Sequence, residues 1–348
     1  MPRPPAAVLA LPSIRRAALL LAFAIIPAAC GLASSTSSPD AGLEAQATPA
    51  PTVHGQKDTF EIATWNLNHF PLAGEPTIQR VTDVVQRLGL DIIAVQELAD
   101  TNAFAAMVSG IPGWDSVIAD HYDASRDPGL YNPPVGFMYD TTAVTVRGKS
   151  LLFVDDPGPF PRSPLALDID WAGVSLTVID VHLKALGDGV VTTNPDDEEA
   201  RRKAACDQLA QYIDQHYAGR RVIVLGDFND KLGEPPAADV FQAFDTRPDR
   251  FYFVDTRITQ HGSPNEMSYP GTQSQIDHIL ITSELFPAFF TDGSDVQTLA
   301  VDGFLQYGLF EYEALVSDHR PVYARLVLSQ PGPSPTTPSD AGADSPSP

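Results

Sequence analysis

The sequence predicts a layered α/β or α+β fold for most of the chain. Short apolar or alternating runs are interspersed with amphipathic segments along residues 58–328, and loops rich in Gly, Pro and Asp separate them. Strands and helices in mixed order, each with an apolar face, are typical of sheets that are covered by helices. The hydrophobic fraction of 43% in 348 residues is enough for a large core.

Each predicted element follows from its own local pattern. Strands are predicted, from alternation or from short apolar runs, at residues 59–67, 91–96, 135–139, 144–146, 165–171, 174–182, 221–225, 276–281 and 321–328. Residues 135–139 and 144–146 are expected to pair with each other, and Ala172-Gly173 is expected to turn a hairpin. Helices are predicted at residues 77–88, which have one apolar face, and at residues 198–217, which begin with acidic residues.

The N-terminal segment has the pattern of an export signal. Arg15 and Arg16 precede an apolar run at residues 17–26, which is too short to span a bilayer. Small residues then precede Cys30 and resemble a bacterial lipobox, although Pro27 stands where that motif usually has Leu. We therefore expect an exported cell-surface or outer-membrane lipoprotein anchored through lipidated Cys30. Plain cleavage nearby, which would give a secreted protein, is the alternative.

The segments that flank the predicted strands and helices have a different composition. Residues 31–57 and 329–348 are rich in Ser, Ala, Pro and Thr and have few bulky apolar side chains. Such segments cannot bury enough surface to fold and are predicted to be disordered tethers. The expected organisation is therefore a signal at residues 1–30, a tether, one catalytic domain at residues 58–328 and a disordered tail. We expect a monomer.

The charge disfavours one class of protein, and the cysteines exclude another. The chain has 22 basic and 44 acidic residues, a net charge of −22, and shows no basic stripe of the kind that nucleic-acid-binding modules carry. The acidity favours solubility in an exposed or salty setting, or carboxylates that are gathered around divalent cations. The two cysteines are Cys30, in the signal, and Cys206, which is expected to be a buried thiol in a helix, so a disulfide framework is excluded.

The strongest local motif is a buried strand that runs directly into polar residues at 222–229 (VIVLGDFN). Asp227 and Asn229 are two residues apart, so both side chains leave the strand on the same side. A carboxylate and an amide in that position can hold a metal ion and a phosphate oxygen. The alternative is an ordinary turn after a strand.

Three further polar positions stand on or beside predicted strands. Asp180, His182 and Lys184 share one strand face at a spacing of two, which is difficult to explain by packing alone. Asp277 interrupts an apolar strand, and a buried carboxylate needs a partner, for which a histidine is well suited. Asp318 and His319 precede the last strand, although they could belong to a simple loop.

Asn66 and Glu97 complete this set of polar strand ends. Asn66 lies near the end of the first predicted strand, and Glu97 follows the apolar strand at residues 91–96. A carboxylate at the end of a buried strand points into a cleft and suits a hard cation such as Mg²⁺.

In this order, the segments TWNLN, QE, VHLKA, GDFN, IDHIL and SDHRP resemble the endonuclease/exonuclease/phosphatase superfamily. That superfamily includes deoxyribonuclease I, apurinic endonucleases, neutral sphingomyelinases and inositol-polyphosphate 5-phosphatases. The resemblance extends over residues 60–328. It implies a four-layered α/β sandwich, in which two mixed β-sheets pack face to face with helices on the outside.

The resemblance also implies a metal-dependent phosphodiester hydrolase. Glu97 corresponds to the main metal ligand, with Asn66 and Asp318 nearby, and the cofactor is expected to be Mg²⁺, Mn²⁺ or Ca²⁺. The residues implied in catalysis are His182, Asp227, Asn229, Asp277, His319 and Arg162.

Each implied catalytic residue has an expected role. Asp227 and Asn229 would position the attacking water and a phosphate oxygen, and His182 would bond the scissile phosphate or assist the leaving group. His319, held by Asp277, is our hypothesis for the general base, with Asp227 as the rival. Arg162 resembles a phosphate-contacting arginine, although an ordinary charge on a surface loop is the alternative.

One position departs from the family pattern. In deoxyribonuclease-like members, a glutamate in the loop before residues 135–139 orients the first histidine, but residues 129–134 contain none. Tyr131 and Asn132 are the candidates to replace it. The departure puts a close functional match to deoxyribonuclease I in doubt.

Three functions are compatible with these features. An exported nuclease, with DNA or RNA as its substrate, is favoured by the motif set and the export signal. The alternative is a phosphodiesterase or phosphatase that acts on lipid head groups or small phosphoesters. For a lipid substrate, residues 286–290 and 303–310 are candidate apolar membrane contacts. Core packing is the other explanation for these two stretches. A catalytically inactive surface-binding protein is the third.

Overall fold

The computed structural model describes residues 54–120 and 132–329. The predicted signal with Cys30, the tether up to residue 53, Tyr131 and the tail from residue 330 lie outside the described residues.

The described residues form strands and helices in mixed order. The strands are β1 (Phe60–Asn66), β2 (Ile92–Gln96), β3 (Trp114–Ile118), β4 (Gly136–Asp140), β5 (Val144–Leu151), β6 (Leu165–Trp171), β7 (Val174–His182), β8 (Val222–Asp227), β9 (Phe251–Phe253), β10 (Asp277–Thr282), β11 (Asp295–Thr298) and β12 (Val322–Leu326). The α-helices are α1 (Glu75–Leu88), α2 (Thr101–Ser109), α3 (Glu198–His216), α4 (Gln242–Asp245), α5 (Thr256–His261), α6 (Phe286–Phe289) and α7 (Gly308–Leu315). Short 3₁₀ helices lie at Pro264–Glu266, Ser283–Leu285 and Val301–Phe304.

The strands form two mixed six-stranded sheets. The first has the order β11-β12-β1-β2-β4-β3 and the second has the order β5-β6-β7-β8-β10-β9. In each sheet one central pair is parallel, β1 with β2 and β7 with β8, while the other pairs are antiparallel. The parallel pairs matter for the site because the carboxyl ends of parallel strands lie at the same edge of a sheet.

The two sheets pack face to face, with helices on their outer faces. Phe60 and Ile62 of β1 point into the core between the sheets, whereas Ala63 and Trp65 point to the outer side, where α1, α2 and α7 pack. This alternation follows from the period of two in a strand. On the other side, α3 packs Cys206 and its apolar neighbours against the second sheet, so the thiol is buried as expected. The predicted four-layered sandwich is confirmed.

Local sequence signals explain where the helices begin and end. The Asp197 carboxylate accepts a hydrogen bond from the Ala200 N–H, 2.9 Å away, and so caps the start of α3. Helix α1 ends at Gly89, which has a left-handed φ of 59°. None of the helices in residues 54–120 and 132–329 has the length and hydrophobicity needed to cross a bilayer.

One predicted strand pairing is wrong, and one is confirmed. Strand β6 and strand β7 form the expected hairpin through Ala172-Gly173, whose positive φ angles suit a two-residue turn. However, β4 and β5, the strands near residues 135–139 and 144–146, belong to different sheets. Strand β4 already has β2 and β3 on its two edges, so β5 cannot pair with it and instead pairs with β6.

Candidate active site

Polar residues from both sheets meet where the central strands end. In the first sheet, Asn66 is the last residue of β1 and Glu97 directly follows β2, the strand parallel to it. In the second sheet, His182 ends β7 and is paired with Asp227 at the end of β8. The antiparallel partner of Asp227 is Asp277, the first residue of β10. The strand register therefore brings five of the predicted residues to one place.

The Asn66 amide links the two sheets at this point. Its Nδ2 donates to Oδ2 of Asp227 at 3.0 Å and to Oε1 of Glu97 at 3.3 Å. Its Oδ1 accepts from the backbone N–H of Asn68 at 2.9 Å. In this orientation Asn66 presents a donor, rather than a ligand oxygen, to the carboxylates, so it orients Glu97 and Asp227.

Asp180 lies between the sheets, below this cluster. Its two carboxylate oxygens accept from Nε2 of Gln96 at 2.7 Å and from the Gly136 N–H at 3.2 Å, both in the first sheet. Complete burial raises the pKa of Asp180 well above its usual value, and the Gln96 hydrogen bond opposes this rise. Asp180 therefore connects the two sheets, whereas His182 on the same strand reaches the cluster.

Glu97 is held in an unusual conformation by the turn between Leu67 and Phe70. Its φ is 64°, in the left-handed region that costs a non-glycine residue about 1 kcal/mol or more. The Phe70 N–H donates to the Glu97 carbonyl at 2.9 Å, and the His69 N–H donates to Oε2 at 3.0 Å. With 15% of its side chain exposed, the Glu97 carboxylate can be reached by ions from solvent.

His319 is fixed through both its side chain and its backbone. Nδ1 lies 2.8 Å from Oδ2 of Asp277, which is fully buried. The Tyr312 hydroxyl donates to the His319 carbonyl, and the Ser317 hydroxyl accepts from the His319 N–H at 2.9 Å. These contacts leave Nε2 of His319 directed towards Asp227, 4.0 Å from its Oδ2.

The carboxylates dominate the electrostatics of the cluster. Burial alone would lower the pKa of His319, but the charges of Asp277, Asp227 and Asp318 and the Asp277 hydrogen bond raise it to about 10. Burial and the neighbouring Asp277 charge raise the pKa of Asp227 to about 7. His319 is therefore a cation at neutral pH, and the pKa of Asp227 lies near neutrality.

His182 is neutral, in contrast to His319. Burial is the largest cause that lowers the pKa of His182 well below its usual value, and the charges of Arg162 and His319 add to it. Its ring is therefore neutral. Its Nε2 lies 3.5 Å from Oδ2 of Asp227. Among the described residues, Nδ1 of His182 has no hydrogen-bond partner, and Nδ2 of Asn132 has none either. Asn132 therefore does not replace the glutamate of the deoxyribonuclease-like members.

The Gly-Asp-Phe-Asn turn is shaped by close contact with β7. Gly226 has a φ of 148°, and a Cβ at that position would lie 1.9 Å from the Val181 carbonyl oxygen, so only glycine fits. Asn229 follows with a φ of 56°, and its N–H donates to Oδ1 of Asp227 at 2.9 Å. The turn thus fixes the Asp227 carboxylate and places the Asn229 amide beside it.

Arg162 lies at the site and is not an isolated surface charge. Its Nη1 donates to the Leu183 carbonyl at 3.2 Å, and the same carbonyl accepts from Nδ2 of Asn229 at 3.3 Å. The guanidinium is partly buried and close enough to His182 to shift the pKa of that ring. Arg162 and Asn229 therefore bring two nitrogen donors to the same side of the cluster.

Asp318 and Tyr269 complete the cleft. Burial raises the pKa of Asp318; the His319 charge opposes this rise, and the nearby charges of Glu97 and Asp277 reinforce it. Tyr269, which the sequence analysis missed, packs its ring against His319 with the centroids 4.8 Å apart. Its distance of fifty residues from His319 along the chain left no local signal for this contact.

The residues present fit a divalent cation. One possible ligand atom each from Asp227, Asp277 and His319 lies within 4.8 Å of the others. Oδ1 of Asp277 is buried without a hydrogen-bond partner among the described residues. Glu97 adds a more accessible carboxylate to the same cluster. Oxygen-rich sites of this kind suit Mg²⁺, Mn²⁺ or Ca²⁺.

Comparison with solved structures identifies the same fold in several other proteins. D. rerio TDP2 complexed with single strand DNA product has a TM-score of 0.54 at 14% identity, over 77% of this chain and 98% of that one. The human Nocturnin catalytic domain with bound sulfate has a TM-score of 0.53 at 16% identity, over 78% and 95% of the two chains. A mannosyl-6-phosphatase from Bacteroides thetaiotaomicron has a TM-score of 0.52 at 16% identity, over 77% and 100%. At these identities, the comparison shows the fold alone.

Sequence comparison gives the family. No curated protein matches the chain. The sequence model of the endonuclease/exonuclease/phosphatase family matches residues 63–319, which is well over half of the chain and includes all the segments that form the cluster. The chain therefore belongs to the endonuclease/exonuclease/phosphatase family.

Proposed function

We propose that this protein is a divalent-metal-dependent phosphoesterase that hydrolyses phosphodiester bonds, with nucleic acid as its substrate. One observation carries the proposal: carboxylates, one neutral and one cationic histidine, and the Asn229 amide converge on one cleft. The chain that forms this cleft belongs to a family of phosphoester hydrolases. In this proposal Glu97 and Asp318 hold the cation, as the family resemblance implies, beside the group of Asp227, Asp277 and His319, and Asn66 orients Glu97.

The chain's own residues can perform the steps that a phosphodiester requires. A bound divalent ion would neutralise phosphoryl oxygens and lower the cost of attack by water. Asn229 and Arg162 supply donors for a phosphate oxygen from one side. Neutral His182, with Nε2 directed into the cluster, can donate a hydrogen bond to the scissile phosphate or the leaving oxygen.

Asp227 is better placed than His319 to take the proton from water. A general base must be unprotonated near the working pH, and the pKa of Asp227 is raised to about 7 whereas that of His319 is raised to about 10. His319, fixed by Asp277, then serves as a cationic donor to the phosphate. The proposal thus prefers Asp227, the rival in the sequence analysis, to His319 as the general base.

Two observations favour smaller or lipid phosphoesters as a second candidate. The net charge of −22 opposes the binding of long polyanions, and one structural relative is a mannosyl-6-phosphatase. Phe286 and Phe289 pack against the core, but Tyr307 and Phe310 are 68% and 80% exposed. Phe310 and Tyr307 therefore remain candidate contacts for a lipid surface, whereas most of residues 286–290 serves packing.

The N-terminal sequence motivates a proposed location. We propose export through the signal at residues 1–30, with membrane anchoring through lipidated Cys30 or, after plain cleavage, secretion. Mass spectrometry of the mature N-terminus would distinguish the two: a diacylglyceryl mass on Cys30 supports anchoring, and an unmodified terminus supports secretion.

A substrate panel tests the proposed activity. The panel contains plasmid DNA, RNA, sphingomyelin, a sugar phosphate and an aryl phosphodiester, each assayed with Mg²⁺ or Mn²⁺ and with a chelator. We expect metal-dependent cleavage of nucleic acid, abolished in Asp227→Asn and retained in His261→Asn, an exposed histidine on α5. Turnover of only the lipid or sugar phosphate would support the second candidate. No turnover of any phosphoester would support an inactive surface-binding protein.

A further inference from the structure

A short turn after β1 is built around the Glu97 carboxylate. The Leu67 N–H donates to the Gln96 carbonyl at 3.1 Å, and the Phe70 N–H donates to the Glu97 carbonyl at 2.9 Å. Between these anchors, Asn68 and His69 both adopt left-handed backbone, with φ of 43° and 58°. Two successive non-glycine residues in this region cost about 1 kcal/mol or more each, so the turn is held by what it contacts.

The turn brings the His69 imidazole directly to Glu97. Nδ1 lies 2.7 Å from Oε2 of Glu97, and the backbone N–H of the same residue donates to that oxygen at 3.0 Å. The His69 side chain is 52% exposed, so the ring stands at the mouth of the cleft. The contact of a half-exposed ring with a carboxylate contributes only about 0–1 kcal/mol to stability, so the backbone hydrogen bonds, and not the imidazole, hold the turn.

The distance between the two side-chain atoms suits shared binding of one ion. Ligands on adjacent vertices of an octahedral ion with bonds of about 2.1 Å are about 3 Å apart. Nδ1 of His69 and Oε2 of Glu97 are already within a few tenths of an ångström of that separation. The backbone N–H of His69 also donates to Oε2 of Glu97, so the carboxylate keeps that hydrogen bond when an ion takes the place of its contact with Nδ1. Nδ1 also lies 3.4 Å from Oδ1 of Asn68.

We propose that Nδ1 of His69 is a nitrogen ligand of the cation held by Glu97, and that it biases the site from Mg²⁺ towards Mn²⁺ and Co²⁺. This inference rests on the proposed metal-dependent function. Carboxylate, carbonyl and water ligands suit Mg²⁺, whereas an imidazole favours first-row transition metals. His69 is thus a determinant of metal choice in the turn between Leu67 and Phe70.

Metal binding to the full chain tests the assignment without relying on activity. Calorimetric titrations with Mg²⁺, Mn²⁺ and Co²⁺ would compare the wild type, His69→Ala, His69→Asn and the control His261→Ala, an exposed histidine on α5. We expect His69→Ala to weaken Mn²⁺ and Co²⁺ binding by about 10- to 100-fold and Mg²⁺ binding by less than about 3-fold. His69→Asn, which offers an oxygen, should favour Mg²⁺, and His261→Ala should bind like the wild type.

A spectroscopic measurement makes the outcome decisive. Pulsed electron paramagnetic resonance of bound Mn²⁺ detects nitrogen ligands, and we expect a ¹⁴N coupling in the wild type that is lost in His69→Ala. An unchanged coupling together with an unchanged ratio of Mn²⁺ to Mg²⁺ affinity would overturn the His69 assignment and leave the proposed function intact. A wild type that binds none of the three ions would overturn both.

Discussion

Two buried acid–histidine pairs in the same part of the fold have different surroundings. In one, Nδ1 of His319 bonds Asp277 at 2.8 Å and the other side of the ring approaches Asp227. In the other, Nδ1 of His278 lies 2.6 Å from Asp255 while Nε2 bonds the Asp230 carbonyl at 2.9 Å, so both nitrogens are occupied. The first pair can exchange protons with a substrate, and the second can only hold the structure together.

The two pairs provide a matched test of this distinction. We expect Asp277→Asn to lower kcat by about 10²- to 10⁴-fold, because His319 loses the charge that holds it as a cation. Asp255→Asn should lower the free energy of unfolding by about 1–3 kcal/mol while the folded protein keeps kcat within about 3-fold of wild type. The measurements are metal-saturated kinetics and urea unfolding of both variants. Equal losses of kcat would show that Asp277 is only structural.

At the scale of strands, the site depends on the alignment of two sheets across their shared core. Asp180 of β7 accepts hydrogen bonds from Gln96 of β2 and from the Gly136 N–H of β4. It thereby connects the strand that carries His182 to the strand that precedes Glu97. The alignment on which the cleft depends is therefore fixed by a buried polar link within an otherwise apolar core.

Replacement of Asp180 should weaken this link in steps. Asp180→Leu leaves the Gly136 N–H without an acceptor and removes one of the two acceptors of Nε2 of Gln96, which keeps the Thr64 hydroxyl at 3.0 Å. We expect it to lower the free energy of unfolding by about 1–3 kcal/mol. Asp180→Asn keeps one acceptor and should cost about half as much. Urea unfolding at neutral pH measures both. A Leu variant as stable as wild type would mean that the sheets are aligned by apolar packing alone.

Local patterns were sufficient to predict most strands and to mark polar residues at their ends, whereas Arg162 was named from the family resemblance alone. Period-two alternation put Asp227 and Asn229 on one side, and Gly226 marks the place where β7 leaves no room for a side chain. The hairpin through Ala172 was predictable because its turn residues are adjacent in sequence. These features depend on contacts between close neighbours.

Features that depend on distant contacts could not be predicted in this way. Strand β5 pairs with β6 because both edges of β4 are occupied, which no local pattern encodes. Tyr269 reaches His319 only through the packing of two loops, and the His69 contact requires two left-handed residues that have ordinary side chains. Helix α2 has an Asp100 cap and apolar spacing, and was missed because it is short.

At the scale of the whole molecule, acidic residues also gather at the end of the first sheet opposite the cleft. Asp91 precedes β2 there, accepts from the Glu61 N–H at 2.9 Å, and lies close to the charges of Glu61 and Asp140. Burial, together with these charges, raises the pKa of Asp91 to about 7. The folded state therefore binds a proton more tightly than the unfolded state does.

This cluster makes the stability of the protein depend on pH. Because the folded pKa of Asp91 exceeds the unfolded value of 3.8, its contribution to stability falls as pH rises from about 4 to above 7. The upper bound on the loss is about 4 kcal/mol. We expect Asp91→Asn, which keeps an acceptor for Glu61, to be more stable than wild type at pH 8 and nearly equal at pH 4, measured by urea unfolding. Parallel pH profiles would contradict this assignment.

The net charge of −22 predicts an unusual dependence of catalysis on salt. Nucleases with basic clefts lose affinity as salt increases, because salt screens their attraction to the phosphate backbone. Here the field of the whole molecule repels a polyanion, so salt should screen repulsion instead. At a fixed free metal concentration, we expect kcat/KM for a single-stranded oligonucleotide to increase severalfold between about 20 and 200 mM NaCl.

Substrate length serves as the internal control for this effect. A dinucleotide and an aryl phosphodiester each carry one phosphodiester charge, so their kcat/KM should change by less than about 2-fold over the same range of salt. The increase should then grow with the length of the oligonucleotide, because each added phosphate meets the same repulsive field. If kcat/KM instead decreased with salt for long substrates, a local basic path formed by residues such as Arg162 and Lys184 would control binding, and the overall acidity would serve solubility alone.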